Sequence, residues 1–122
     1  MNTEEQKLYT LLTTPKPPYI AIITTKIRNE IMCETYHEIM EKFEERVTSF
    51  HGYLGMECTE EKLTDGRILG VSAIYWKTLE DLKLWSEDKE HIRAKKLGKE
   101  QWYTEHNVRI CSVLSQYGEH LN

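Results

Sequence analysis

Two segments of this chain, YIAIITTKI from Tyr19 to Ile27 and RILGVSAIY from Arg67 to Tyr75, are apolar on both sides of an extended backbone. Side chains alternate sides along a strand. Here Ile20 and Ile22 alternate with Ala21 and Ile23, while Leu69, Val71 and Ala73 alternate with Ile68 and Ile74. A half-solvated antiparallel sheet would instead alternate apolar with polar residues. Both faces of this sheet therefore need a cover. The helical segments identified below suffice for one face, and a bare apolar surface of this kind marks an interface. The expected cover for the second face is another copy of the chain, making a homodimer.

The remaining elements follow from periodicity and punctuation. Pro15, Pro17 and Pro18 separate a polar leader from the first strand, Tyr19 to Ile27. In CETYHEIMEKFEERVTSFHG, the residues Tyr36, Ile39, Met40, Phe43, Val47 and Phe50 recur at three- and four-residue steps, which predicts a long helix ended by Gly52. Tyr53 to Thr59 and Arg67 to Tyr75 flank the turn pair Asp65 and Gly66 and form a hairpin. Thr78 caps a short helix with Glu80 and Asp81 in its first turn and Leu79, Leu82 and Trp85 on its inner face. Asp88 caps a further segment through His91, Ile92 and Lys96 towards Trp102, with Gly98 as a weak point. Asn107 to Tyr117 is the last strand. Strand, helix, strand, strand, helix pair and strand give an α+β, ferredoxin-like βαββαβ chain whose helices lie on one face of an antiparallel sheet.

A chain of 122 residues suits one domain, expected over 18–122 behind the polar leader 1–17. Sixteen Lys plus Arg stand against twenty Asp plus Glu, and Arg93, Lys95, Lys96 and Lys99 are interleaved with Glu90 and Glu100. That pattern argues against a phosphate-binding surface, so no nucleic-acid partner is expected. The leader lacks the basic start and apolar run of a secretory signal, and no stretch is long enough to span a bilayer. Cys33, Cys58 and Cys111 are odd in number with no CxxC, which predicts neither a disulfide framework nor a cysteine zinc site. A cytoplasmic protein with no membrane partner is the expectation.

The stretches GYLGMEC, YWKTLEDLKLW, EHIRAKKLGKEQWY and VRICSVLSQYG, spread over residues 18 to 118, resemble the antibiotic biosynthesis monooxygenase domain family. Trp76 at a strand end with Trp85 nine residues on is the most specific part of the resemblance. It implies a dimeric α/β barrel built from ferredoxin-like subunits. Members of that family include enzymes that oxygenate phenolic or quinol compounds without metal or flavin, relatives that bind and degrade haem, and many with no assigned activity. In the haem-degrading relatives an asparagine is sought in the first strand and a histidine about ten residues after the helical tryptophan. This chain has Thr24 and Thr25 at the first place and Lys95 at the second, with His91 about one helical turn earlier.

Candidate site residues come from the same stretches. Alternation places Ile68, Gly70, Ser72, Ile74 and Trp76 on one strand face, where small residues leave space beside a large indole. With Trp85 and Tyr36 they could line a mostly apolar small-molecule pocket. The competing reading makes both tryptophans plain core. His91 falls in the first turn of a predicted helix, where the dipole favours a neutral imidazole able to act as base, although Glu87, Asp88 and Glu90 oppose that effect. Tyr36 or Tyr103 could orient a substrate oxygen and Arg109 could steady an anion, against readings as a helix-end aromatic and an exposed strand residue. Glu34 with His37, and Asp88 with His91, carry a Glu/Asp-x-x-His spacing, but a di-iron site needs facing helices, so no metal is expected. Cys58 and Cys111 are expected as buried strand thiols, and His51 as a helix-end residue. The expected function is cofactor-independent oxygenation with His91 as base and Trp76, Trp85, Tyr36 and Tyr103 as substrate contacts. The alternatives are a haem or other planar-ligand binder without turnover, and a non-catalytic dimeric scaffold.

Overall fold

The computed structural model describes residues 11–30 and 33–118, with side chains in the first helix from Tyr36 onward. The start of the leader and the side chains of Cys33 and Glu34 lie outside the described residues. The elements run β1 (Tyr19–Arg28), α1 (Cys33–Thr48), β2 (Tyr53–Lys62), β3 (Ile68–Trp76), α2 (Leu79–Ser86), α3 (Lys89–Leu97), a π-helical turn (Gly98–Trp102) and β4 (Tyr103–Val113). The four strands form one antiparallel sheet in the order β2-β3-β1-β4. This is the α+β, ferredoxin-like arrangement, with the two doubly apolar strands at its centre. Among the described residues no helix is long and apolar enough to cross a membrane.

Register sorts the strands into two faces. Ile20, Ile22, Thr24 and Lys26 lie opposite Trp76, Ile74, Ser72 and Gly70, and this inner face carries the helices. At one end the layer between sheet and helices is solid: Trp76 is 0 % exposed, Trp85 is 2 % exposed, and Val47, Ile74 and Leu82 complete the cluster. The α1 stripe predicted from three- and four-residue steps is the one that faces inward, with Phe43 and Phe50 edge-on to Trp85 at 5.2 and 4.7 Å. Burying each of these large side chains contributes about 2 to 3 kcal/mol.

Both helix caps form as the sequence indicates. Thr78 Oγ1 accepts the backbone N–H of Asp81 at 3.1 Å and donates to its carboxylate at 2.8 Å. Asp88 accepts the backbone N–H of His91 at 3.1 Å while Arg46 of α1 donates to both of its oxygens, tying α3 to α1. Gly52, at φ +85, turns the chain after α1, and a Cβ there would stand 2.2 Å from the carboxylate of Asp81.

Four expectations change. The last strand is Tyr103–Val113 rather than Asn107 to Tyr117, because α3 stops at Leu97 and the π-helical turn uses up the residues to Trp102. The polar run Thr104 to Asn107 is tolerated because β4 is a sheet edge with most side chains exposed. Leu79 borders the open space between sheet and helices instead of packing into the core, and is 54 % exposed at the first position of α2. Cys58 is exposed rather than buried, and Cys111 is only half-buried.

The fourth change concerns the outer face, which is not wholly bare. Leu12 lies where a Cβ on Gly55 would be, and Thr14 bonds to Tyr19 and to Gln116, each at 3.0 Å. Tyr19 in turn packs edge-on against Tyr75 at 5.7 Å. Residues on both sides of the strands thus cover one end of that face. The stretch around Ile23, Thr25, Ile27, Leu69 and Ala73 is only partly buried, and Val71 beside it is 38 % exposed.

Loss of the Asp88 cap should be measurable. Asp88→Ala is expected to cost about 1 to 2 kcal/mol in urea unfolding near neutral pH, the usual range for an N-cap. Arg46 holds the Asp88 carboxyl down at about 2, below the unfolded value of about 3.9. Its stabilisation is therefore complete above about pH 4 and is lost as the pH falls towards 2, so the gap between wild type and variant should narrow over that window. A gap that stays constant to pH 2 would contradict the assignment.

Candidate functional site

Beyond the solid end, the space between sheet and helices stays open as a cavity of about 880 Å³. Its floor is the inner sheet face, read in rows across the strands. The first row is apolar: Ile22, Ile74, Met56 and Ile110. The second is small and mixed: Thr24, Ser72, Cys58 and Val108. The third is charged, with Lys26, Glu60 and His106 around Gly70. Polarity thus rises along the strand direction. From Ile22 to Lys26 is about 13 Å at the usual strand rise.

The walls repeat that gradient. Phe43, Trp85 and His91 stand at the apolar end, where the His91 ring stacks on Trp85 at 4.5 Å and meets Phe43 edge-on at 5.4 Å. His91 Nδ1 lies 3.0 Å from the carbonyl oxygen of Trp85. A carbonyl only accepts, so Nδ1 carries the hydrogen and donates it, leaving the Nε2 lone pair as the acceptor of the ring. Burial pushes the imidazole below its ordinary value, and Lys95 adds to that effect, while the Trp85 carbonyl and Asp88 oppose it. Desolvation outweighs the carboxylates that the sequence sets around this histidine.

Tyr36 and Tyr103 stand at the charged end with ring centroids 6.4 Å apart. Tyr36 is 5 % exposed, with the Arg28 guanidinium 4.1 Å over its ring, and Arg28 holds both oxygens of Glu60 at 3.2 Å. Burial raises both phenols above their ordinary value, Tyr103 strongly, so both are protonated hydrogen-bond donors near neutrality. Two backbone features set Tyr103 in place. A register shift at Ile27 and Arg28 pairs Arg28 with Tyr103, which turns this ring to the inner face. Gly98 is buried, and a Cβ there would stand 2.4 Å from the ring.

His91, Trp85, Tyr36 and Tyr103 therefore share one cavity, with the histidine and the tyrosines at opposite ends of it. Trp76 is sealed behind Trp85, 6.2 Å away and nearly parallel, and is not part of the cavity wall. With His91 on one side and Trp76 on the other, Trp85 presents an edge to the cavity. Arg109 pairs with Ile23 on the outer face, exposed and away from the cavity. Asp88 serves the backbone of His91 as a cap, and His37 is exposed at the cavity rim. Among the described residues no group of three or more His, Cys, Asp and Glu converges as a metal cluster would. His51 pairs with Asp81 at 2.9 Å, outside the cavity.

Sequence reasoning missed Phe43 as a site residue, and missed Lys26, Glu60 and His106 altogether. Lys26 had a usable signal: it shares strand parity with Ile20, Ile22 and Thr24, so it belongs to the helix-facing side of an apolar strand. His106 and Glu60 had none, because they reach the cavity only through the pairing register.

Comparison with known proteins agrees with this fold. No family model matches the chain. It is 33 % identical over 100 residues to the uncharacterized protein YqjZ of Bacillus subtilis, covering 82 % of this chain and 83 % of that one. Among solved structures, it is similar to a Nitrosomonas europaea protein provisionally assigned as an antibiotic biosynthesis monooxygenase, at 16 % identity and TM-score 0.63, over 88 % of this chain and 100 % of that one. A Caulobacter crescentus protein with the same provisional assignment aligns at 11 % identity and TM-score 0.66, over 80 % of this chain and 92 % of that one. The chain belongs to the family of YqjZ, and its fold is that of the antibiotic biosynthesis monooxygenase structures.

Proposed function

We propose that this protein oxygenates a phenolic or quinol compound with molecular oxygen, without metal or flavin. The observation that carries this reading is a half-buried histidine in the cavity wall whose tautomer is fixed by the Trp85 carbonyl and whose basic nitrogen is unprotonated near neutrality. Names of structural neighbours also support an oxidoreductase, including a Bacteroides thetaiotaomicron protein described as a possible oxidoreductase. Since one fold hosts many chemistries, the site residues bear the weight of the proposal.

His91 Nε2 accepts the phenol proton, which leaves an electron-rich phenolate. The phenolate passes one electron to oxygen, and the resulting radical pair combines to form a carbon–oxygen bond on the ring. One oxygen atom stays on the ring as the new carbonyl, and the other departs as water with the proton that His91 returns and the proton lost from the oxygenated ring carbon. A phenol and one oxygen molecule thus give a quinone and one water, with all four electrons drawn from the ring. Phe43 and the edge of Trp85 hold the ring, Trp76 backs Trp85, and Tyr36 and Tyr103 donate to a second oxygen further along the cavity. Free Cys58 and Cys111 fit a reducing compartment, and we place the protein in the cytoplasm.

We further propose that the uncovered outer surface around Val71 pairs with a second copy. A dimer of about twice the chain mass is expected by light scattering after gel filtration, and Val71→Asp is expected to shift it towards monomer by placing like charges together in a desolvated contact. A monomeric wild type at tens of micromolar would overturn this.

For the reaction, oxygen uptake with hydroquinone and naphthol probes is expected, falling about 100-fold or more in His91→Ala, the usual scale for loss of a general base. Burial places the imidazole below its ordinary 6.5, and only the neutral form is the base, so activity should hold through neutrality and fall on the acid side below pH 6.5. An active His91→Ala would remove the base. Saturable binding of hemin with a shifted Soret band and no oxygen uptake on any probe would favour the planar-ligand binder without turnover.

A further inference from the structure

The reaction above gives no task to the lysines of the cavity; Lys83, Lys95 and Lys99 are exposed, whereas Lys26 is half-buried. Lys26 stands on the inner face of β1, and its stem passes over Gly70, whose missing side chain leaves it room: a Cβ on Gly70 would be 3.6 Å from Lys26 Cε. The ammonium carries three N–H donors. It donates to the Tyr103 hydroxyl at 3.3 Å and sits 5.2 and 5.7 Å from the ring centres of Tyr103 and Tyr36. Among the described residues no carboxylate lies within ion-pair distance of it. Glu60, its neighbour across Gly70, has both oxygens bonded to Arg28.

A partly buried cation with aromatic faces but no counter-ion is costly unless something completes it. Cation–π contacts favour the charged form and recover part of that cost. Burial lowers the amine below the ordinary lysine value, with Glu60, Cys58 and Glu44 opposing the effect and Arg28 adding to it. The cavity continues from this cation to the apolar end over about 13 Å. Lys83, Lys95 and Lys99 on its wall add positive charge, which outnumbers the carboxylates of Glu44 and Glu60.

We propose that the cavity binds an elongated amphipathic anion, its carboxylate on the Lys26 ammonium and the Tyr103 hydroxyl, its ring or chain against Phe43, Trp85 and Ile74. This names the substrate class of the site proposed above and rests on that cavity being a small-molecule site. It does not rest on the oxygen chemistry. A simple phenol spans only one end of the cavity, whereas an aryl-alkanoate reaches both.

The test is a set of three matched ligands, 6-phenylhexanoate, 6-phenylhexan-1-ol and 6-phenylhexylamine, titrated into the full chain by calorimetry. The expected order is acid tightest, alcohol weaker by about tenfold or more, and amine weakest, since a charge-assisted bond exceeds a neutral one by about that factor. Lys26→Met is expected to bring the acid to the level of the alcohol, and Lys26→Arg to retain the preference. Equal binding of acid and alcohol by wild type, binding of none, or an acid preference that survives in Lys26→Met would each overturn the proposal. The wild-type order decides the matter even where Lys26→Met fails to fold. Acid preference without oxygen uptake on any probe would remove the reaction and leave the anion site; oxygen uptake without acid preference would do the reverse.

Discussion

The structure depends on a filled end and an unfilled end in a single layer. Trp76 and Trp85 stack at one end between sheet and helices and close it completely. Two indoles occupy the layer between α2 and the sheet there, and the strand rows beyond them carry Thr24, Ser72, Cys58 and Gly70, too small to fill the same space. Helix and sheet are rigid at this scale, so the spacing set by two indoles persists where no indole fills it. A cavity is the consequence. It needs no strained backbone, only a change of side-chain size from one strand row to the next.

That geometry also explains why the two ends differ chemically. The His91 ring is pinned between Phe43 and Trp85, and its hydrogen is committed to a backbone carbonyl, so burial acts on it with little polar compensation. At the far end, Arg28, Glu60, Tyr36, Tyr103 and Lys26 form one polar group in which the carboxylate serves the guanidinium rather than the ammonium. A neutral imidazole and a cation are thereby held apart at the ends of one cavity. Fold likeness to the monooxygenase structures accounts for the layer, and these particular side chains account for what it could bind.

Much of the architecture was legible in the chain, because it depends on residues close together in sequence. Thr78 and Asp88 cap their helices through bonds to residues three positions on, and the α1 stripe from Tyr36 to Phe50 is a matter of helical period. The start of β4 was not legible: Tyr103 to His106 lies between the expected helical segment and the strand expected from Asn107, and only pairing with β1 makes it part of the strand. Leu79 looked like core by spacing from Leu82 and Trp85, yet it borders the open cavity at the first position of α2 and stays 54 % exposed.

The site divides in the same way. His91 and Trp85 were legible as candidates because a cap and a helical step place both on one local framework. By itself the sequence determined element order, the faces of β1 and β3 and the helix starts, since alternation, period and capping act over a few residues. Tertiary structure alone decided that Trp76 closes the cavity instead of lining it, that a register shift turns Tyr103 inward, and that Lys26 meets two tyrosines from distant elements. Those outcomes depend on pairing register and on the gap between packed layers, which are set by contacts between residues far apart in the chain.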